Sequence, residues 1–143
     1  MKIDYVNTII FNEDISKLAY LKKLTGPKFL VNRYNFIGGK VDFNETTRQA
    51  AVREVQEEAF VKLNEADLIS IYKDSGDDWS LETFCIKVNQ TDFSTIKQTA
   101  SEPIIISEIF QVFLGLQENN QNYSNDFEDF LNMALIAIHK TLA

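Results

Sequence analysis

The 143-residue sequence contains a single cysteine, Cys85, so it cannot form an internal disulfide, and this fits a reducing compartment. No run approaches the ~18 consecutive apolar residues that a membrane span requires, and no apolar segment follows a basic N-terminus. Five glycines and two prolines occur, without internal repeats or low-complexity segments. We therefore expect a cytoplasmic protein with no membrane partner and a single domain over residues 1–143.

Positive charge is also scarce, with 14 Lys and Arg against 21 Asp and Glu, for a net charge of -7. Binders of nucleic-acid polymers usually present a basic face, so this balance argues against such a partner. It does not argue against small nucleotides, because metal ions can bring their phosphates to an acidic site. We expect a small-molecule nucleotide partner and no nucleic-acid polymer, and a homodimer stays open.

The most informative stretch, residues 36–61, contains a helix crowded with carboxylates. At about 100° per residue from Thr46 onward, three glutamates share one helical face: Glu54, Glu57 and Glu58. Three apolar residues share another face that can pack against a core: Val52, Val55 and Ala59. An ordinary solvated acidic face would mix cations among the acids, whereas here the only nearby cation is Arg53. The pattern favours a site for a hard divalent cation such as Mg²⁺.

The same stretch resembles the Nudix box, which reads Gly, five residues, Glu, seven residues, Arg-Glu, an aliphatic, any residue, Glu-Glu, any residue, Gly, an aliphatic. A random residue would match each of the six specified positions roughly one time in 15. All six would match by chance on the order of once in ten million alignments of the pattern with a sequence. Phe60 stands where the pattern has its second glycine. The matching residues are Gly39, Glu45, Arg53, Glu54, Val55, Glu57, Glu58 and Val61.

The chain is therefore similar to the Nudix hydrolases, the MutT-like small pyrophosphohydrolases, which are Mg²⁺-dependent. The resemblance implies cleavage of a nucleoside diphosphate linked to another group, in a (deoxy)nucleoside triphosphate, ADP-ribose or a nucleotide sugar. The alternative is a catalytically silent Nudix domain that acts as a nucleotide-binding sensor. A silent module has no need for the full set of box glutamates and Arg53, and this favours the enzyme.

The strand-forming segments predict two hairpins. The first joins residues 3–11 to 18–24, and the second joins residues 68–73 to 81–88 across the turn-forming residues 74–78. Together with the helices they indicate an α/β fold. The resemblance implies the Nudix fold, a mixed β-sheet sandwiched between helices in an α/β/α sandwich.

Two further helical segments are expected in the last third of the chain. A short helical turn over residues 107–116 should end at Gly115. The last helix should begin near Asn125, with Glu128 completing a capping box. Its core-facing stripe is Phe127, Phe130, Leu131, Ala134, Leu135 and Ile138.

For the metal, Mg²⁺ or Mn²⁺, Glu57 and Glu58 are the first-choice ligands, and Glu54 is a ligand or the general base. The resemblance adds the carbonyl of Gly38 as a ligand. Arg53 is expected to fix the rotamers of the glutamates through ion pairs rather than to hold a phosphate.

Outside the helix, Glu45 is expected to support the site without touching the metal. The resemblance also implies an extra glutamate that assists the metal or acts as base, with Glu102 the better candidate and Glu108 the second. Each could equally be a solvated loop carboxylate.

For the substrate, Arg33 or Lys28 could reach a phosphate or belong to a solvated basic loop, and Lys40 lies in the loop that enters the box. Trp79 could stack on a base, although capping the core is commoner for a Trp at a strand end. With Phe60 in place of glycine, either the helix runs on further or the following loop is built differently.

Overall fold

The structure is a computed structural model in which residues 2–96 and 102–142 are described. The strands are β1 (Ile3–Phe11), β2 (Lys17–Lys22), β3 (Tyr34–Asn35), β4 (Ile37–Lys40), β5 (Ile69–Ser75), β6 (Trp79–Lys87) and β7 (Ile104–Glu108). The helices are α1 (Thr47–Ala59), α2 (Gln90–Ser94), α3 (Ile109–Asn119) and α4 (Phe127–Lys140), with 3₁₀ turns at Glu65–Asp67 and Asn120–Asn122.

The strands form one mixed sheet around β1, in the order β3-β2-β1-β6-β5. One edge of β1 pairs in parallel with β6 along its whole length, and the other pairs antiparallel with β4 and then β2. Strand β7 pairs with β2, and β5 pairs antiparallel with β6. Both predicted hairpins are confirmed.

Helices cover both faces of this sheet, which confirms the predicted α/β/α sandwich. One apolar core lies between the sheet and α1, and the other lies between the sheet and helices α3 and α4. Across the described residues, no helix combines the length and the apolar character needed to cross a membrane. The fully buried Cys85 lies in the second core, where burial raises the pKa of its thiol to about 12.

Helix α1 begins through a capping box at Thr46. The Thr46 hydroxyl accepts from the Gln49 backbone N–H at 3.1 Å, and the Gln49 side chain accepts from the Thr46 backbone N–H at 2.9 Å. Four small or branched residues form the buried side of the helix: Ala50, Ala51, Val55 and Ala59. The glutamates lie on the other side of the helix.

Phe60 ends α1, and both expectations for this position were wrong. Its backbone adopts the left-handed conformation, with φ 61° and ψ 30°, and its N–H donates to the Gln56 carbonyl at 3.1 Å. The helix stops where a glycine would stop it, and the phenyl ring, which is 53 % exposed, points into solvent rather than into the core. The cost is the strain of a side chain in this region, about 1–2 kcal/mol.

Replacing Phe60 with Gly is therefore expected to stabilise the protein by about 0.5–1 kcal/mol, since relief of strain exceeds the extra chain entropy of glycine in the unfolded state. Chemical denaturation measures the difference. Phe60→Ala is the matched control, because alanine keeps the Cβ that causes the strain. A gain from Phe60→Ala equal to that from Phe60→Gly would contradict this explanation.

Two other local expectations were wrong. Gly115 lies inside α3, which runs on to Asn119, because its backbone does not adopt the positive φ with which a glycine ends a helix. A Cβ at Gly115 would meet the Tyr123 hydroxyl. Helix α4 follows Asp126, whose side chain makes no capping hydrogen bond, so Glu128 completes no capping box. The apolar stripe of α4 is confirmed, with all of its residues buried except the half-buried Leu135.

Candidate active site

The paired glycines bring β4 against both β1 and α1. A Cβ on Gly39 would fall on the carboxylate of Glu54, so this side chain packs directly on the glycine backbone. A Cβ on Gly38 would instead strike the carbonyl oxygen of Val6 and the backbone of Asn7. One glycine thus makes room for a carboxylate, and the other permits the strands to pair.

Alanine substitution is therefore expected to affect activity at one glycine and stability at the other. Gly39→Ala is expected to displace the flexible Glu54 side chain and lower kcat/KM by about 10²-fold, with little loss of stability. Gly38→Ala meets backbone atoms and should destabilise the protein by about 1–3 kcal/mol. Steady-state kinetics and thermal melting separate the two effects. A large fall in stability of Gly39→Ala would argue against the contact with Glu54.

Arg53 holds the carboxylates of α1 and of the loop before it. It donates twice to Glu45, from Nε at 2.8 Å and from Nη2 at 3.0 Å, and once to Glu54 from Nη1 at 3.0 Å. Nη2 also donates to the Lys40 carbonyl at 2.9 Å, and a longer contact of 3.5 Å reaches Glu57. These contacts connect β4, the following loop and α1.

The charges around Arg53 stabilise one another. The hydrogen bonds from Arg53 lower the pKa of the Glu45 carboxyl, and in turn Glu45 and then Glu54 raise the pKa of the guanidinium. The side chains of Glu45 and Glu54 are 14 % and 13 % exposed, so water screens these pairs only in part. The geometry matches the expected way in which Arg53 would fix the glutamate rotamers.

Glu58 differs from the other helix glutamates because its Oε2 is buried without a hydrogen-bond partner. Burial raises the pKa of Glu58 to about 8, and the neighbouring charge of Glu54 adds to the effect, as does the more distant Glu102. Lys23 opposes the shift. Glu57, by contrast, has a side chain that is 57 % exposed.

A buried carboxylate oxygen with no donor fits a cation ligand, because a divalent ion would supply the missing partner. In the described part of the chain, no three His, Cys, Asp or Glu side chains are already arranged as a metal site. Glu54, Glu57 and Glu58 nevertheless supply the carboxylate oxygens that a hard divalent cation prefers, and they lie on one helix.

Glu102 lies two residues before β7, and its charge acts on Glu58. Its Oε2 accepts from the Leu24 backbone N–H at 2.8 Å, and its Oε1 lies 3.4 Å from Lys23 Nζ. Glu102 thus holds the segment that leaves β2. The second candidate, Glu108, ends the same strand about 20 Å away at ~3.3 Å per residue, so the structure does not bring it to the site.

The candidate phosphate-binding cations are spread around the sheet. Arg33 donates to Asn125 Oδ1 at 3.2 Å, just before α4, and Lys28 lies exposed in the loop between β2 and β3. Lys40 is exposed on β4, and because Gly39 faces α1 its side chain points to the opposite face of the sheet. The structure thus joins none of the three to the glutamates through a described side-chain contact.

Lys23 is a site residue that the sequence analysis did not identify. Its charge acts on Glu58, and it also pairs with Glu102. Two adjacent lysines after a strand give no sign of which one turns inward. Its role depends on the pairing of β2 with β7, a contact between residues about 80 positions apart.

Comparison with solved structures supports this fold. A mutT/nudix family protein from Listeria innocua superposes with a TM-score of 0.74 at 19% identity, over 97% of this chain and 95% of that one. A structure from work on MutT of Aliivibrio salmonicida and Vibrio cholerae gives 0.66 at 23% identity, over 80% and 86%. These identities show a common fold and no more.

A longer protein contains the same fold. The bifunctional NMN adenylyltransferase/ADP ribose pyrophosphatase from Francisella tularensis, complexed with AMP and a manganese ion, gives a TM-score of 0.70 at 12% identity. The match covers 96% of this chain and 42% of that one. Among curated proteins no sequence is a significant match.

The sequence itself matches the family model described as the NUDIX domain over residues 1–129, nearly the whole of the chain. This range contains the paired glycines, α1 with its glutamates, and Glu102. The chain therefore belongs to the NUDIX domain family.

Proposed function

We propose that residues 1–143 form one Nudix domain that hydrolyses a nucleoside diphosphate linked to another group, with Mg²⁺ or Mn²⁺ as cofactor. The observation that carries the proposal is the buried, unpartnered oxygen of Glu58 beside Glu54 on α1. The manganese ion and AMP in the Francisella relative support the same class of metal and ligand for this chain. The substrate candidates are a (deoxy)nucleoside triphosphate, ADP-ribose and a nucleotide sugar.

Glu57, Glu58 and the Gly38 carbonyl would hold the metal, with Glu54 as a further ligand or as the general base. A divalent cation bound here would supply charge neutralisation for the diphosphate and would lower the pKa of a coordinated water. Glu58 is the strongest ligand candidate because its Oε2 is buried and has no hydrogen-bond partner.

The other residues would orient this set. Arg53 holds Glu54 through one hydrogen bond and is itself held by both oxygens of Glu45. If Glu54 accepts the proton of the attacking water, this bond would fix the direction of its free oxygen. Glu102 would keep Lys23 beside Glu58, and a direct role of Glu102 as base stays a proposal.

The metal requirement is directly testable. Protein treated with EDTA is expected to lose turnover of every substrate in a panel of nucleoside triphosphates, ADP-ribose and nucleotide sugars. Mg²⁺ or Mn²⁺ should restore turnover and should also raise the melting temperature, because the cation neutralises the like charges on α1. Undiminished hydrolysis in metal-free protein would contradict the proposal.

The same panel tests the sensor alternative. A catalytically silent domain would bind one of these nucleotides tightly in Mg²⁺ and release no product. Binding calorimetry is then carried out on the compounds that show no turnover. Tight binding of one of them indicates a sensor, whereas no binding indicates that the panel lacks the substrate. The substrate that gives the highest kcat/KM identifies the group attached to the diphosphate.

A further inference from the structure

Strands β5 and β7 each pair with a single neighbour in the described part of the chain, but the two are built differently. The register of β5 shifts between Ser70 and Tyr72, and Lys73 follows. A bulge and a lysine are features that keep an outer strand from pairing with other chains. Strand β7 pairs with β2 in continuous register from Ile104 to Glu108 and carries no charge before its last residue. Its outer edge therefore lacks this protection.

The backbone groups of β7 face its two sides in alternation. The carbonyl of Pro103, one residue before the strand, accepts from the Lys22 N–H of β2 at 3.1 Å. The nitrogen of this proline thus lies on the side that is already paired and does not block the outer side. Because hydrogen-bonded and non-hydrogen-bonded pairs alternate along an antiparallel ladder, the N–H and C=O groups of Ile104 and Ile106 point away from β2. They form an outer row of donors and acceptors.

Exposed apolar side chains lie beside this edge on both faces of the sheet. Ile106 is 43 % exposed and is in register with Ala19, whose side chain belongs to the core beneath α1. Phe110 and Leu114, one turn apart on α3, are 59 % and 50 % exposed. Three such side chains around an open strand edge indicate a protein interface.

Helix α3 presents Phe110 toward the outer edge of β7. Strands β3 and β7 pair with opposite sides of β2, since Leu21 is in register with both. Gly115 of α3 faces Tyr123, which lies beside β3. At 100° per residue, Phe110 lies about 140° around the helix from Gly115 and therefore on the β7 side.

We propose that two copies of this chain form a dimer in which their β7 strands pair antiparallel about a two-fold axis at Ile106. This axis runs perpendicular to the sheet, so each face of one sheet continues into the same face of the other. The two Ile106 side chains then meet on one face, and the two α3 helices meet on the other. Helix α3 packs over β2 and β7. With strands about 4.8 Å apart, the two helix axes come to about 10 Å, a usual distance for packed helices.

A second copy fits this surface better than an unrelated extended peptide. A peptide could bond the backbone of β7 but would leave Phe110 and Leu114 in solvent, whereas the two-fold axis places them against the second α3. Pairing Ile106 with itself also places Ile104 opposite Glu108, so no two carboxylates face each other across the edge. The inference goes beyond the proposed function and is tested without substrate.

Sedimentation velocity over protein concentrations from about 1 to 500 µM measures the assembly. The wild type is expected to become dimeric within this range. Ile106→Lys should weaken the dimer at least about tenfold, because two lysines would face each other at the axis. Its melting temperature at low concentration should be unchanged, since the side chain is exposed. Ile136→Lys is the matched control and should dimerise like the wild type, because this exposed residue lies on α4, which packs over β6.

A charge exchange tests the register of the pairing. Ile106→Glu alone should also be monomeric, but an equimolar mixture of Ile106→Glu and Ile106→Lys should form a heterodimer, because a lysine then faces a glutamate. Phe110→Ser provides an independent variant outside the strand and should also weaken the wild-type dimer at least about tenfold.

Three results would overturn the proposed dimer. The first is a wild type that stays monomeric over the whole concentration range. The second is an Ile106→Lys variant that dimerises like the wild type, which would place the interface elsewhere. The third is a mixture of the two charged variants that associates no better than either alone. If a variant at Ile106 does not fold, Phe110→Ser decides, and wild-type dimerisation of that variant would refute the interface.

Discussion

Replacing Glu58 with Gln is expected to lower kcat/KM in Mg²⁺ by about 10³-fold while raising the melting temperature of the metal-free protein by about 3 °C. The loss of activity corresponds to ~4 kcal/mol of charge stabilisation that the bound metal would otherwise provide. The gain in stability arises because Gln removes a carboxylate that is buried without a partner and faces Glu54, worth about 1 kcal/mol. The increase in melting temperature that Mg²⁺ causes in the wild type should shrink.

The measurements are steady-state kinetics and thermal melting in EDTA and in Mg²⁺. Glu118→Gln, an exposed glutamate on α3, is the matched control and should change neither quantity. Glu57→Gln should also lower turnover, yet with little effect on metal-free stability, because Glu57 is largely exposed. A Glu58→Gln variant that melts well below the wild type would show that Glu58 is structural, and its assignment as a ligand would then be wrong.

Glu54→Gln distinguishes a general base from a metal ligand. If Glu54 accepts the proton of the attacking water, kcat should fall by ~10²–10⁴-fold while nucleotide affinity in Mg²⁺ changes little, because Glu57 and Glu58 still hold the metal. The fold should be preserved, since a Gln carbonyl can still accept the hydrogen bond from Arg53 Nη1.

Kinetics at several Mg²⁺ concentrations, together with calorimetric binding, make the distinction. If affinity and rate fall together, and excess Mg²⁺ restores part of the rate, Glu54 is chiefly a ligand. Glu102 then becomes the better candidate for the base, and Glu102→Gln should reproduce the kcat loss. Most of the wild-type rate in Glu54→Gln would exclude both roles and leave Glu54 as a partner of Arg53 alone.

The sequence by itself determined the features that depend on short spacing. A helix from about Thr46 with three glutamates on one face follows from its 3.6-residue period. Turn-forming residues between β-rich segments gave both hairpins. The spacing of the box residues was specific enough to indicate the family, and the range that the family model matches, residues 1–129, includes the box.

The local sequence pattern gave the wrong expectation at two helix ends. Gly115 looked like a helix end, but it lies inside α3 without a positive φ, packed beside the Tyr123 hydroxyl. Phe60 was expected not to end the helix in the way a glycine does, yet it adopts the left-handed conformation at a cost of about 1–2 kcal/mol.

Only the tertiary structure decided which carboxylates differ from one another. Glu54, Glu57 and Glu58 lie on one face of the helical wheel, but the fold buries Oε2 of Glu58, pairs Glu54 with Arg53 and leaves Glu57 largely exposed. Strand register likewise joins β1 to β6, which lie far apart in the sequence. Burial and register are properties of contacts between distant segments, so no local pattern in the sequence encodes them.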